Sequence, residues 1–224
     1  MTVKIGMGGS ALDLKDAKVW GYQATKIMVG TGTTAIEAWP AYREEIVRYT
    51  AVGSHNIQLP SWCREIDFIL LGGGGGGDRG DSGIAHAGDG GQAGRWHAGS
   101  AIVPYPSLVL EVGYGGSGTT GSNFNSTDGG GTRIWGPNNE YVGWGQGGAR
   151  GSGIAGVPQA GSPGNRSYAG MTISGGSGGA IDQPGGSPGG GGGGGGGGIF
   201  GNFKRGQPGG RGEAIIRFRS GPRQ

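Results

Sequence analysis

Apolar positions cluster in short runs along the first forty residues: Val3–Ile5, Lys18–Trp20, Lys26–Val29 and Ala35–Trp39, the last closed by Pro40. These runs are rich in β-branched and aromatic residues and are separated by turn formers, a pattern that predicts a small β meander. Glu45–Thr50 and His55–Leu59 then flank Ala51-Val52-Gly53-Ser54, a hairpin connection. Pro60-Ser61-Trp62-Cys63 leads into Glu65–Leu71, whose apolar end predicts a strand covered on both faces. Ser107–Val112 has the same character. Glu213–Arg219 alternates from Ile216 onward, as a half-exposed strand does. The expectation is an all-β protein with a small antiparallel base, a sheet or a sandwich.

Between these strands the pattern disappears into glycine. Of 61 glycines only seven precede Leu71. The remaining fifty-four make about 35% of the following residues, a composition step at Leu71 within a chain divided as 1–40 and 41–224. Each interior glycine costs a helix about 1 kcal/mol relative to alanine, which excludes an α-helical fold. Collagen fails on register, because Gly77, Gly80 and Gly83 keep a three-residue step that His86 breaks. Highly charged disorder does not suit a net charge of +3 with six tryptophans and seven tyrosines. A polyglycine II-type bundle remains, its extended three-fold helices packed side by side as only glycine allows, with Gly189–Gly198 spanning roughly 31 Å. The competing possibility is a disordered linker, since glycine carries the largest ordering entropy. Strands that resume after each excursion tie both ends down and favour order.

Charge and candidate chemistry add little. Cys63 is the single cysteine, which excludes an intramolecular disulfide. The N-terminus lacks a signal-peptide pattern and no long apolar run follows, so synthesis in the cytoplasm without a membrane span is expected. Residues 200–224 carry six basic side chains against one acidic, which points to an acidic partner or nucleic acid, or to simple solubility. Gly113-Tyr114-Gly115-Gly116-Ser117-Gly118 fits a dinucleotide fingerprint, but at this glycine content such matches arise by chance and no helix follows. Ser82 in Gly80-Asp81-Ser82-Gly83 and Ser177 in Gly175–Gly179 lack the histidine and acid that a nucleophilic serine needs. His86, Asp89 and His97 match no metal-ligand spacing and read as loop residues. Neither a catalytic residue, a metal nor a cofactor is expected.

Aromatic residues punctuate the glycine segments at Trp96, Tyr114, Phe124, Trp135, Tyr141, Trp144 and Tyr168. Each either staples glycine helices to the sheet or stands at a loop tip, where aromatics among Asn, Ser and Arg make adaptable contact surfaces. Asn123-Phe124-Asn125-Ser126 and the stretch from Arg133 through Trp135 to Tyr141 are the expected tips. Trp96, Phe124, Arg133, Trp135, Tyr141, Trp144 and Tyr168 are thus the candidate receptor-binding residues.

The order of parts resembles the glycine-rich minor tail proteins of actinobacterial siphophages such as mycobacteriophages. The resemblance rests on Trp39-Pro40 closing the meander, the Pro60-Ser61-Trp62-Cys63 step, the Ile66-Asp67 strand running into Gly72-Gly73-Gly74, and the terminal Gly209–Arg219 strand. A more distant likeness is to the adhesins on long tail fibres of T-even-type phages. The resemblance implies a virion structural protein at the tail tip, not an enzyme, in contact with other tail or baseplate proteins and with the host envelope surface, a glycan or glycolipid. A homo-oligomer such as a trimer is a further expectation. Residues 1–40 would attach it to the tail, with Trp20, Ile27, Val29, Trp39 and Pro40 as attachment candidates. A glycine-rich nucleic-acid-binding protein using the basic C-terminal segment is the alternative, and a serine autoprotease at Ser82 a third.

Overall fold

The computed structural model describes residues 42–83, 85–119, 121, 125–154 and 157–221 with their side chains, and the backbone of six short strands between residues 4 and 39. The chain divides into two compact units, Met1–Arg43 and Glu44–Gln224. In the first unit the described strands pair as antiparallel hairpins: β1 (Lys4–Met7) with β2 (Ser10–Asp13), β3 (Lys18–Val19) with β4 (Tyr22–Gln23), and β5 (Ile27–Thr31) with β6 (Thr34–Trp39).

The second unit is a β-sandwich that grows into a glycine lattice. One sheet has the order β10-β9-β16-β7, formed by β10 (Trp96–Ile102), β9 (Glu65–Leu71), β16 (Glu213–Arg219) and β7 (Glu44–Tyr49). The other has the order β13-β12-β11-β8, formed by β13 (Tyr141–Gly145), β12 (Thr132–Trp135), β11 (Ser107–Val112) and β8 (Gly53–Gln58). All pairs within them are antiparallel. A hairpin of β14 (Asn165–Tyr168) and β15 (Met171–Ser174) completes the strands, and no helix occurs among the described residues.

The period-two alternation of side chains decides what each face of the central strands meets. Ile66, Phe68 and Leu70 of β9, with Ala214, Ile216 and Phe218 of β16, face Ile57, Leu108, Leu110, Val112 and Ile134 of the opposite sheet. On the other face Ile69 and Ile215 pack under Met171 and Ile173 of the β14–β15 hairpin. Strand β9 is therefore covered on both faces, as its apolar sequence indicates.

Strand β16 departs from expectation. Its alternation predicts one exposed face, yet all seven residues are buried. Arg217 and Arg219 point away from the sandwich core but are occupied by Asp67, itself buried on β9. Arg217 Nε donates to Asp67 Oδ2 at 2.9 Å, and Arg219 Nη2 to Oδ1 at 3.0 Å. Glu65 pairs with Arg219 at 2.8 Å, and Ser100 donates its hydroxyl to Asp67. The β14–β15 hairpin lies over this face, so the polar positions are internal and mutually satisfied.

Beyond the sheets, strands continue directly into extended glycine segments, here called rods. Strand β9 runs into rod I (72–81), rod II (86–95) runs into β10, β11 into rod III (113–119), rod IV (125–131) into β12, and β13 into rod V (145–153). Rod VI (157–164) precedes β14, rod VII (174–182) follows β15, rod VIII (188–198) stands free of strands, and rod IX (204–212) feeds β16.

The backbone hydrogen bonds of rod I rotate with a three-residue step, the repeat of a polyproline II helix. The N–H groups of Gly72, Gly75 and Asp78 donate to rod II at Arg95, Gln92 and Asp89. Those of Gly73 and Gly76 donate to rod IV, and those of Gly74, Gly77 and Gly80 to rod IX. The carbonyls repeat the pattern: Gly73 and Gly76 accept from rod V, Gly74 and Gly77 from rod III, Gly75 and Asp78 from rod VIII. Partners that receive from rod I run antiparallel to it, and partners that donate to it run parallel.

Rod I is thus enclosed by rods II, VIII, IX, III, IV and V in a hexagonal ring. Rod VIII is enclosed in the same way by rods I, II, VI, VII and IX and by the returning stretch 183–186. The two enclosed rods are those that carry the unbroken glycine runs, Gly72–Gly77 and Gly189–Gly198.

Along Gly72–Gly77 enclosure on every side leaves no room for a side chain. A Cβ on Gly73, Gly75 or Gly76 would run into the backbone carbonyl of Tyr114, Ala149 or Ser117. Ring rods relax this rule on the side that faces water. In rod V, Gly145, Gly148 and Gly151 are buried while Gln146, Ala149 and Ser152 are exposed, and in rod III Tyr114 and Ser117 point outward. Near the far end of rod I a buried carboxylate enters the lattice: Asp78 accepts hydroxyl hydrogen bonds from Thr119 and Ser126, stitching rods III and IV to rod I.

Gly75→Ala should lower unfolding free energy by about 3 kcal/mol or more, because packed backbone cannot yield to a new methyl. Gly121→Ala, where a Cβ meets nothing, should stay within about 0.5 kcal/mol, and urea melts of both variants measure the contrast. Asp67→Ala should cost about 3–5 kcal/mol by stranding buried guanidinium groups, read by the same melts.

Candidate functional site

The outer face of β12 and β13 gathers four of the expected aromatic and basic residues. The strands pair with Arg133 opposite Trp144 and Ile134 opposite Gly143, after which the register shifts and Trp135 lies opposite Tyr141. That bulge leaves Val142 as the extra residue. In an unbroken strand Tyr141 and Trp144, three positions apart, would point to opposite faces. The bulge brings both to the outer face beside Arg133 and Trp135, while Val142 turns toward the sandwich core.

A shallow groove of about 340 Å³ results, lined by Arg133, Trp135, Asn139, Tyr141 and Trp144 over Ile134 and Gly143. Tyr141 is 69% exposed and Trp144 41%. The Arg133 guanidinium carbon sits 5.1 Å from the centroid of the Trp144 ring, a cation–π contact. The indole nitrogen of Trp144 occupies the space that a side chain on Gly131 would need, so the ring lies against the bare backbone of rod IV. Tyr114 rests on Gly130 in the same manner and extends the aromatic surface onto the lattice.

The turn that closes the hairpin is internally braced. Asn139 takes a left-handed conformation with φ of 65°. The Asn138 backbone and side-chain N–H groups donate to Glu140 at 2.9 and 3.1 Å. Hydrogen bonds from its own N–H and then from Asn138 hold the Glu140 carboxyl below the usual range.

The structure separates the other expected site residues from this groove. Trp96 is half-buried, donates its indole N–H to the Pro163 carbonyl at 2.7 Å, and packs on Ile69, Met171 and Ile173. Tyr168 packs there too and its hydroxyl pairs with Ser100 at 2.9 Å. Both staple the β14–β15 hairpin to the first sheet. Phe124, Trp20 and Pro40, and the side chains of Ile27, Val29 and Trp39, lie outside the described residues.

Strand direction fixes where the groove stands. Rod IV feeds β12, so the Gly136–Glu140 turn lies at the strand end of the unit, opposite the far ends of the rods. The rod ends display a different set: Phe200 is 93% exposed and Ile199 and Val157 are exposed as well, while Phe203 lies under the Arg79 guanidinium at 4.7 Å. The Ile199-Phe200 pair, an apolar island between Gly198 and Gly201, is the sequence signal that aromatic spacing alone overlooks.

A family model described as the glycine-rich domain matches residues 50–219. The chain belongs to that family. No curated protein matches it. The matched span of the glycine-rich domain opens just before β8 and closes at Arg219, taking in the lattice and seven-eighths of the sandwich strands.

Within the glycine-rich domain, other side chains with chemical potential have structural occupations. Gly113–Gly118 forms most of rod III, not a phosphate loop before a helix. His97 sits on β10 with its ring 5.6 Å from that of Phe68, and Asp89 accepts the Val157 N–H at 3.1 Å. No three metal-ligating side chains converge among the described residues. Burial pushes the Cys63 thiol up, and it donates to the Glu65 carbonyl at 3.4 Å. The basic segment is largely self-neutralised. Lys204 pairs with Asp182 at 2.8 Å, Arg211 with Glu213 at 3.5 Å, and Arg217 and Arg219 with Asp67. Burial acts to raise the Asp182 pKa, but hydrogen bonds from Lys204 and the Gly196 N–H and the Lys204 charge reverse it to below the usual aspartate range.

Stapling and display predict opposite responses to truncation. Trp96→Ala should destabilise the domain by about 2–4 kcal/mol, whereas Trp144→Ala should change unfolding free energy by less than about 1 kcal/mol. Chemical denaturation followed by circular dichroism distinguishes them.

Proposed function

We propose that this chain is a non-enzymatic minor tail protein of a bacteriophage, placed at the tail tip, whose glycine-rich domain contacts the host envelope. One observation supports the reading above others: a backbone lattice displays exposed aromatic side chains, while the buried charges of β9 and β16 are ion-paired with one another. Such a domain is suited to presenting a surface rather than to turning over a substrate. No helix among the described residues is long and apolar enough to cross a membrane.

Glu44 at the start of β7 pairs with Arg219 near the end of β16, so the chain enters and leaves the unit at one end. The rods extend from the other end. Residues 1–43, joined at that entry point, act as the attachment unit in this proposal, and partners on the virion are other tail or baseplate proteins. Many copies would turn weak single contacts into firm adsorption.

The nucleic-acid alternative draws on the basic C-terminal segment. Its arginines on β16 are buried against Asp67, which removes Arg217 and Arg219 from that reading and leaves it Lys204, Arg205 and Arg211 among the described residues. The experiment is competition: purified full-length protein, added in excess to host cells, should reduce adsorption of the corresponding particles, and an antibody against the chain should label the tail tip in electron micrographs. Undiminished adsorption together with unlabelled tails would overturn the proposal, and salt-sensitive retention on single-stranded DNA would favour the alternative.

A further inference from the structure

We infer that the β12–β13 groove is a saccharide site, in which a sugar ring of an envelope glycan stacks on Tyr141 and Trp135 and its hydroxyls are met by Arg133 and Asn139. The inference rests on the envelope-contact reading above and names the ligand class for it.

Shape sets the first constraint. A groove of about 340 Å³ lies at the small end of small-molecule sites, roughly 300–1,000 Å³. A protein partner would need about 800 Å² on each side, far more than this patch provides. A pyranose ring offers a flat face of C–H groups with hydroxyls around its edge. Tyr141 and Trp135, a cross-strand pair on one face, supply aromatic rings for the flat face.

The second constraint is the fixed donor. Arg133 is the one charged residue lining the groove. It faces Glu111 across β11 in register, yet no ion pair joins them. Its guanidinium instead lies on the Trp144 ring, which immobilises the planar N–H fork without consuming its donors. Asn139 adds an amide that both donates and accepts, held by the braced turn. Arg133 thus supplies a cationic donor within the groove, with the carboxylates of Glu111 and Glu140 on adjacent positions outside its lining.

The third constraint is the bulge. Only the shifted register places Tyr141 and Trp144 on one face, and bulges that re-aim side chains concentrate at functional positions. A preorganised rigid site keeps the ordering cost of binding low.

The test applies full-length protein to an array of bacterial envelope oligosaccharides, neutral and anionic, and follows positives by tryptophan fluorescence titration. Binding to at least one glycan is expected, weakened roughly tenfold or more by Tyr141→Ala and by Arg133→Ala, with unchanged thermal midpoints because both side chains are exposed. Phe200→Ala, at the rod ends, should bind like the parent. Absence of any glycan binding overturns the saccharide site, as does binding that survives both groove substitutions or is lost with Phe200→Ala. Competition for whole cells that persists without glycan binding would leave the adhesion reading standing and remove this one alone.

Discussion

The structure depends on one requirement: every backbone N–H and C=O of the enclosed rods must find a partner in another rod. A strand in a sheet satisfies its groups in two directions. A polyglycine II rod distributes them in six, turning about 120° at each residue, so an enclosed rod is complete only inside a full ring. This makes the lattice cooperative. Rod I has no stable existence without rods II to V, VIII and IX, and the chain must return to it repeatedly to supply them. The cost is the ordering entropy of glycine, the largest of any residue. Dense interlocking bonds and close backbone packing offset it, in place of the apolar side chains that most domains bury.

The sandwich solves the problem of starting such a lattice. Strands β9, β10, β11, β12, β13 and β16 carry ordinary hydrophobic side chains, and each is continuous with a rod. Their antiparallel pairing therefore fixes the direction and initial register of rods I to V and IX before glycine begins. Rod II opposes rod I because β10 opposes β9, and rod IX does so because β16 opposes β9. The Asp67 cluster belongs to the same device. It locks β9 to β16 on the face where the β14–β15 hairpin must close, and a register slip would leave three buried charges unmatched.

Much of this was legible in the chain, and the failures are informative. The strands at Glu65–Leu71, Ser107–Val112 and Glu213–Arg219 are visible as apolar runs, and the glycine bundle follows from composition. The shorter strands β12 to β15 are not, because Thr132–Trp135 and Tyr141–Gly145 are embedded among glycines and their pairing depends on neighbours distant in sequence. The exposed face assigned to β16 failed because alternation reports polarity, and Asp67, 150 residues from Arg217, cannot be seen from within the strand. A signal in the glycines themselves was readable: unbroken runs mark enclosed rods, and spacings such as Gly145, Gly148, Gly151 mark rods with one face in water. For the site, residue type marked Trp96, Tyr168 and Trp144 alike. Only tertiary context divides the two that hold the hairpin down from the one that faces outward.

That division bears on how such a surface can change. The enclosed run Gly72–Gly77 admits glycine alone, and the ring rods turn glycine or a small or hydrogen-bonded side chain such as Thr119, Ser126 or Ala160 inward. The outward third is free of this restriction, as are the turns, so residues such as Tyr114, Ser117, Gln146 and Ala149 can vary without disturbing a single lattice bond. A hydrophobic core couples surface loops to packing beneath them, because shifting a loop shifts side chains that must still interdigitate. Here the scaffold contributes backbone only, and an aromatic ring laid on it, as Trp144 lies on Gly131, gains contact without asking any neighbour to move. Stability and recognition are thereby carried by different atoms of the same residues, main chain for one and side chain for the other.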